Sequence, residues 1–298
     1  MKNLSDNMRG AVYMMFAMAG YVLNDAMMKL ATETLNLYQA IFIRGIAVTF
    51  LLGIYAWKKG YFASLKANFS RPMALRIVGE MGGAIFFLNA LVNMPIANIT
   101  AILQVLPLAV TLAASIFLNE PVGWRRYIAI GIGFIGVLII IRPGSEGFDI
   151  YAIFALIAVV FVVIRDLATR KLPAHTPSIL VGFYTSLAVT LMALVIMPFQ
   201  PWEPVNLTNF SLLTIAGLFV LFGSVFSVMT MRVGEVGFVS PFRYTILIWA
   251  IILGIVIFGD YPDFYTMLGS FIVVATGTYT FYRERKAAKK QTILSDQQ

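Results

Sequence analysis

Residues 20–30 read GYVLNDAMMKL and place an amide, a carboxylate and an ammonium (Asn24, Asp25 and Lys29) within six residues of one another, inside an apolar run that starts near Gly10. A charge at the centre of a bilayer costs at least about 2.5–3.5 kcal/mol on insertion scales, so such groups need partners, a water-filled cavity or a route to the interface. Whether this run spans a membrane decides both the fold and the meaning of its charges. Around it the chain is 60% hydrophobic and 12% charged, with a mean hydropathy of +0.85. Soluble domains carry roughly 25% charged residues, so the composition is that of an integral membrane protein. The first run lacks a small-residue cleavage site with a soluble domain behind it, and it reads as a span rather than a signal peptide.

A hydrocarbon core about 30 Å thick takes roughly 20 apolar residues per helix. Cutting at charge clusters, prolines and turn residues predicts ten spans, near 10–30, 37–57, 73–93, 96–118, 126–142, 150–168, 178–198, 211–231, 236–258 and 264–282. Links such as NMP at 93–95 and RVGE at 232–235 leave no room for a soluble catalytic domain. Lys58, Lys59, Lys66, Arg71, Arg125, Arg126, Arg170, Lys171, Arg232 and the tail RERKAAKK at 283–290 fall on one side of this plot, against little beyond Arg142 and Lys29 on the other. By the positive-inside rule both termini are cytoplasmic. The tail reads as the inner anchor of the last span, or as a lipid-binding basic patch.

Ten spans divide as five plus five. Shifting the chain by about 140 residues lays Asn24-Asp25 over Arg165-Asp166, FLNEP (117–121) over FGDYP (258–262), and Gln104 near Arg243. An odd number of spans per half turns the halves upside down relative to each other, the inverted-repeat plan of many secondary transporters. The expected fold is all-α: two inverted five-helix repeats at 1–145 and 146–284, followed by a basic cytoplasmic tail at 285–298.

The ND of the first span, QAIFIRG at 39–45, PIANITAILQVLP at 95–107, FLNEP followed by WRR, RPG at 142–144, RDLATRK at 165–171 and SPFRY at 240–244 occur in this order. In these motifs the chain resembles the EamA-type branch of the drug/metabolite transporter superfamily. The ND, FIR and PFRY combination is most similar to a subgroup that includes riboflavin and S-adenosylmethionine uptake carriers. The resemblance implies ten spans around a central cavity formed mainly by spans 1, 3, 4, 6, 8 and 9. Glu80 departs from the pattern, standing where relatives usually have an apolar residue.

Asp25 and Lys29 lie four apart on one helix face and are able to pair, while Lys29 is near enough to the outer interface to snorkel. Arg44, at similar depth across the hairpin, is either a structural partner of Asp25 or a substrate contact. Glu80 sits roughly 12 Å in from the cytoplasmic end of its span, with Arg76 a turn nearer the cytoplasm and no obvious partner in the same span. It reads as a cavity-facing acid: a proton-coupling site, a neutral hydrogen-bonding group or the partner of a cationic substrate. Asn89 follows on a similar face. Arg243 follows Ser240-Pro241, where a proline can interrupt the ninth span; with Tyr244 and Gln104 it makes a polar spot suited to carboxylate or phosphate, the alternative being inward snorkelling. Arg165 and Asp166 read as a gating or structural pair bridged to Arg170 or Lys171. Trp249 is mid-span, a candidate cavity wall, and Gly82, Gly83, Gly131, Gly133 and Gly136 read as helix-packing positions.

The combined expectation is a secondary transporter of the bacterial cytoplasmic (inner) membrane. It moves a small amphipathic or zwitterionic metabolite by alternating access, proton-coupled or by exchange. The resemblance makes that metabolite riboflavin-, S-adenosylmethionine- or amino-acid-like. The candidate binding set is Asp25, Arg44, Glu80, Asn89, Gln104, Arg243, Tyr244 and Trp249. No catalytic residue, metal or cofactor is expected, and the partners are the metabolite, membrane lipid and protons, without nucleic acid, in a monomer or homodimer. The lack of cysteine, a single histidine (His175) and the absence of HExxH argue against a membrane-embedded enzyme. Nothing resembles a selectivity filter, which argues against a channel.

Overall fold

The computed structural model describes all residues except 1–4, 65–68, 121, 144–148, 174–175, 234–235 and 296–298, and the helical side chains at 63–64, 228, 231–232, 236–237 and 284–295 are outside the description too. Lys66, Pro121, Gly144, His175, Glu235 and the side chains of Arg232 and most of the basic tail therefore lie outside the described residues. Ten helices are long and apolar enough to cross a membrane, and among the described residues there is no strand. They are α1 (Asp6–Ala31), α2 (Leu37–Lys58), α3 (Arg71–Asn93), α4 (Ile96–Phe117), α5 (Trp124–Ile141), α6 (Ile150–Arg170), α7 (Ser178–Ile196), α8 (Leu207–Val233), α9 (Ser240–Phe258) and α10 (Phe264–Ser295). Helices recur here because only intra-segment hydrogen bonding satisfies the backbone in lipid.

Local chemistry sets several boundaries. Asn36 caps α2 by accepting from the Tyr38 N–H, and Ser70 caps α3 by accepting from Met73 N–H, with Pro72 in the first turn. Two spans are broken. α4 consists of Ile96–Leu103 and Leu106–Phe117, with Pro107 opening the second piece. α9 opens as a tight 3₁₀ turn over Ser240–Tyr244 that contains Pro241, continues as Thr245–Leu253, and closes in a wider turn, Gly254–Phe258. That turn stops at Gly259, whose φ of +68° is left-handed and favours glycine.

The chain forms two compact units, one of residues 1–22, 95–149 and 222–298, the other of 23–94 and 150–221. Within the first, α5 packs along α10 and α4 along α9. Gly136 makes the α5–α10 seam possible, since a Cβ there would come 3.0 Å from the Gly269 carbonyl oxygen. Gly133 abuts Leu108 and Thr276 on the same seam. Gly131, expected to share this role, does not: it is exposed, with nothing within 4 Å of a Cβ. Residues 131 and 133 are about 200° apart on the helix, so only one of them can face α10. Within the second unit α3 packs along α6 and α2 along α7. There Gly79 lies against the α6 backbone, Gly82 against the Phe161 ring, and Gly83 against Val162.

Candidate functional site

The polar residues of the opening stretch meet in the second unit. Asn24 is buried. It accepts a hydrogen bond from Arg44 Nη1 at 2.9 Å and donates from Nδ2 to Asp25 Oδ1 at 2.9 Å. The amide thus relays between guanidinium and carboxylate, whose direct pairing was one of the two roles the sequence left open for Arg44. Gly217 of α8 lies beside the Arg44 stem, whose Cγ is 3.8 Å from where a Cβ would sit, an ordinary contact distance. Lys29 donates to the Met94 carbonyl.

A second cluster links α3 and α6. Arg76 and Glu80, one turn apart on α3, approach to 3.8 Å, and Arg165 Nη1 lies 3.7 Å from Glu80 Oε1. Arg165 Nε donates to Asp166 Oδ1 at 2.9 Å. Arg76 Nη1 donates to Thr169 Oγ1 at 2.5 Å, and Thr169 in turn donates to the Arg165 carbonyl at 2.7 Å. Glu80 therefore has two cationic neighbours, one of them in its own span, because the Arg76 side chain reaches the full turn that its Cα lacks. Arg44 is within electrostatic reach of Glu80 as well as Asp25, and Arg76 is within reach of Asp166. The close approach needs Gly79, where a Cβ would fall 2.7 Å from the Arg165 backbone nitrogen. The Glu80 and Arg165 side chains keep 29% and 28% exposure.

Asn89 does not join the cluster. Its Nδ2 donates to the Ile85 carbonyl of its own helix at 2.7 Å. The other four candidates belong to the first unit. Gln104, buried at the break in α4, donates to the Thr100 carbonyl at 3.1 Å. Tyr244 is buried with its hydroxyl seated on Gly277 and, among the described residues, without a hydrogen-bond partner. Arg243 is exposed, and Trp249 is 37% exposed. Between α9 and α10 runs an apolar cavity of about 420 Å³, lined by Tyr244, Thr245, Leu247, Met267 and Phe271 among others; neither Arg243 nor Trp249 lines it.

Two arrangements were not anticipated from sequence. At the ends of α5 and α10, Arg142 ion-pairs with Asp263 and lies 4.7 Å over the Tyr265 ring. Asp263 also accepts from Thr266 N–H at 2.8 Å. Partial burial works against its charge, but the hydrogen bonds from Thr266 and the Arg142 guanidinium outweigh this and hold the carboxyl below the usual carboxylate range. In the second unit the fully buried Gln39 pairs with Glu203 like a short stretch of backbone. It donates to the carbonyl at 2.7 Å and accepts from the N–H at 3.1 Å.

Ten apolar helices with arginine–carboxylate networks at membrane depth define a multi-pass membrane protein that keeps charge inside its spans. The EamA-like transporter family model matches residues 8–142 and again 149–282, and the chain belongs to that family. It is 23% identical over 293 residues to an S-adenosylmethionine uptake transporter of Rickettsia conorii, covering 97% of each chain. It is 25% identical over 268 residues to the pseudopaline exporter CntI of Pseudomonas aeruginosa, covering 89% of this chain and 93% of that one. A riboflavin transporter of Vibrio cholerae is 26% identical over 290 residues, covering 95% and 96%. A solved crystal structure shares the fold at a TM-score of 0.63 and 16% identity, covering 91% of this chain and 96% of the other.

Proposed function

We propose that the protein is a secondary active transporter of the bacterial cytoplasmic membrane that moves a small amphipathic or zwitterionic metabolite by alternating access. In this reading both termini are cytoplasmic, the halves at 1–145 and 146–284 are inverted, and transport is proton-coupled or runs by exchange. The observation that carries it is the Asn24–Asp25–Arg44 and Arg76–Glu80–Arg165–Asp166 networks, charged groups at membrane depth that remain partly exposed. Intramembrane charges of this kind mark substrate or ion paths. A second feature supports it: α4 and α9, fourth and ninth of ten, are both interrupted near a proline. Interrupted segments in corresponding places of two halves point to a transporter's binding region. Arg44 would meet the anionic group, and Asp25 or Glu80 the cationic part or a coupled proton. Asn89 would line the path. In the first unit, Gln104 and Arg243 at the two breaks, with Tyr244 and Trp249, are proposed contacts.

The test is counterflow in proteoliposomes, with labelled S-adenosylmethionine, riboflavin and amino acids as solutes. Saturable exchange without single-channel current supports the reading. A steady current, or chemical conversion of a solute in detergent without movement, refutes it. Exchange that persists after the pH gradient and membrane potential are collapsed removes proton coupling and leaves the exchanger.

A further inference from the structure

We infer that Arg76 and Arg165 form a binding site for the carboxylate of a small zwitterion, in which Glu80 is a tethered stand-in that the ligand displaces. The inference rests on the reading of the protein as a metabolite transporter and names the chemistry of its ligand.

Glu80 is the loose member of an otherwise well-made cluster. Arg165–Asp166 and Arg44–Asn24 are at 2.9 Å, within the usual range of charge-assisted hydrogen bonds, about 2.7–2.9 Å. The two oxygens of Glu80 stand 3.7 and 3.8 Å from their arginines, and among the described residues the carboxylate accepts no hydrogen bond. A buried ion pair offsets its desolvation only with good geometry, so a permanent structural role would draw Glu80 in. A donor is in surplus beside it. Arg76 Nε is buried without a hydrogen-bond partner among the described residues. Guanidinium forks fit planar carboxylates, and the protein's own carboxylate already occupies the space.

Charge balance selects the ligand. Arg76 and Arg165 are matched by Glu80 and Asp166. An added monoanion would leave the cluster one negative charge in excess at membrane depth. A zwitterion does not: its carboxylate takes the arginines, and Glu80, swung aside on a side chain that is 29% exposed, meets its cation.

Three probes separate the possibilities: 2-aminobutanoate, butanoate, which lacks its ammonium, and propylamine, which lacks its carboxylate, measured as thermal stabilisation of detergent-purified protein against matched chloride salts. A ligand that binds the folded state raises the melting temperature by mass action. In the wild type 2-aminobutanoate is expected to stabilise more than butanoate, and propylamine not at all. In Glu80→Gln butanoate binds about tenfold tighter than in the wild type, equivalent to about 1.4 kcal/mol, and the advantage of the zwitterion disappears. Arg165→Gln loses the response to both carboxylates. Unchanged butanoate affinity in Glu80→Gln, equal response to the amine, or no carboxylate response in either protein overturns the site. Should Glu80→Gln not fold, Glu80→Asp keeps the charge but withdraws it by one methylene; carboxylate affinity equal to wild type there overturns the site too. Counterflow is scored separately. Exchange without a carboxylate response defeats this site and spares the transporter; carboxylate binding without exchange defeats the transporter and spares the site.

Discussion

Gly79→Ala places one methyl group where α3 meets the backbone of α6. Its Cβ would lie 2.7 Å from Arg165 N, 2.8 Å from Phe161 O and 2.9 Å from Arg165 Cα, whereas ordinary contact starts at 3.4 Å. Every blocking atom is backbone, so no side chain can swing away, and α6 must retreat by about 0.6 Å at Phe161 O. Overpacking of this kind costs about 1–3 kcal/mol. Alanine also returns about 1 kcal/mol of helix propensity over glycine, which obscures the clash in a single measurement. Gly131→Ala removes that ambiguity, because a Cβ there meets nothing within 4 Å and collects the same propensity gain. The difference between the two variants isolates the steric cost: Gly79→Ala should be less stable than Gly131→Ala by about 1–3 kcal/mol. Reversible unfolding in mixed micelles titrated with dodecyl sulfate, followed by circular dichroism, reads this difference directly. Equal stability of the two variants would refute the close approach of α3 and α6, and with it the geometry that brings Arg165 to Glu80.

Arg44→Gln takes the guanidinium donor from the buried Asn24 and should cost about 1–3 kcal/mol, the range for leaving a buried polar group unsatisfied; Asp25→Asn in the same chain should recover part of that, and strict additivity in the double-mutant cycle would show that the Asn24 relay couples nothing. Gln39→Ala leaves the Glu203 N–H and carbonyl without their side-chain partner, with an expected loss of about 1–3 kcal/mol and faster hydrogen exchange at the Glu203 amide; unchanged exchange counts against the pairing. Asp263 has its folded pKa depressed, so its contribution is complete above its unfolded value, about 3.9, and is lost as pH falls through the lower folded value. Wild type should therefore lose stability relative to Asp263→Asn across that acid window, by a modest amount because the side chain is 42% exposed; acid titrations that run parallel for the two proteins would remove the ion pair from the account.

All ten spans were legible because each needs only length and hydropathy, and the glycines at 133 and 136 because close packing demands small residues. Gly131 was misread for lack of a phase: hydropathy does not say which side of α5 meets α10. Partners were harder than positions. Arg76 and Glu80 at i and i+4 are a known helical pair, yet depth along the span suggested that the arginine stopped short; side-chain reach, not Cα depth, decided it. Arg165 could not be assigned to Glu80 at all, since nothing local encodes which helix α6 packs against. Asn24 was quoted with Asp25 but given no role of its own, although an amide that both donates and accepts is suited to stand between a guanidinium and a carboxylate. Arg142 with Asp263 and Gln39 with Glu203 are 121 and 164 residues apart, distances at which sequence patterns give no pairing signal.

The two units are held by different physics. Lipid is as apolar as leucine, so helices in a bilayer associate through close packing and polar contacts rather than through the hydrophobic effect. In the first unit the α5–α10 seam relies on glycine-permitted contact between backbones at Gly136 and Gly269, fastened at one end by Arg142 and Asp263. Such contact is short-ranged, and small separations forfeit much of it, which makes the seam stiff. In the second unit α2 and α7 are joined by Thr49 and Ser186 hydroxyls at 2.7 Å, and α3 and α6 by the Arg76–Thr169 hydrogen bond at 2.5 Å and the Arg165–Glu80 ion pair at 3.7 Å; that pair and the Arg76–Glu80 pair within α3, at 3.8 Å, have not closed into hydrogen bonds. Coulomb attraction varies as the inverse of distance, so these pairs tolerate a shift of a few tenths of an ångström at little cost. Gly79 fixes where the helices touch, and the Glu80 carboxylate beside it is held by ion pairs longer than a hydrogen bond. A rigid fulcrum next to a loosely held carboxylate is the combination that the proposed site needs if it is to hold a ligand and then release it.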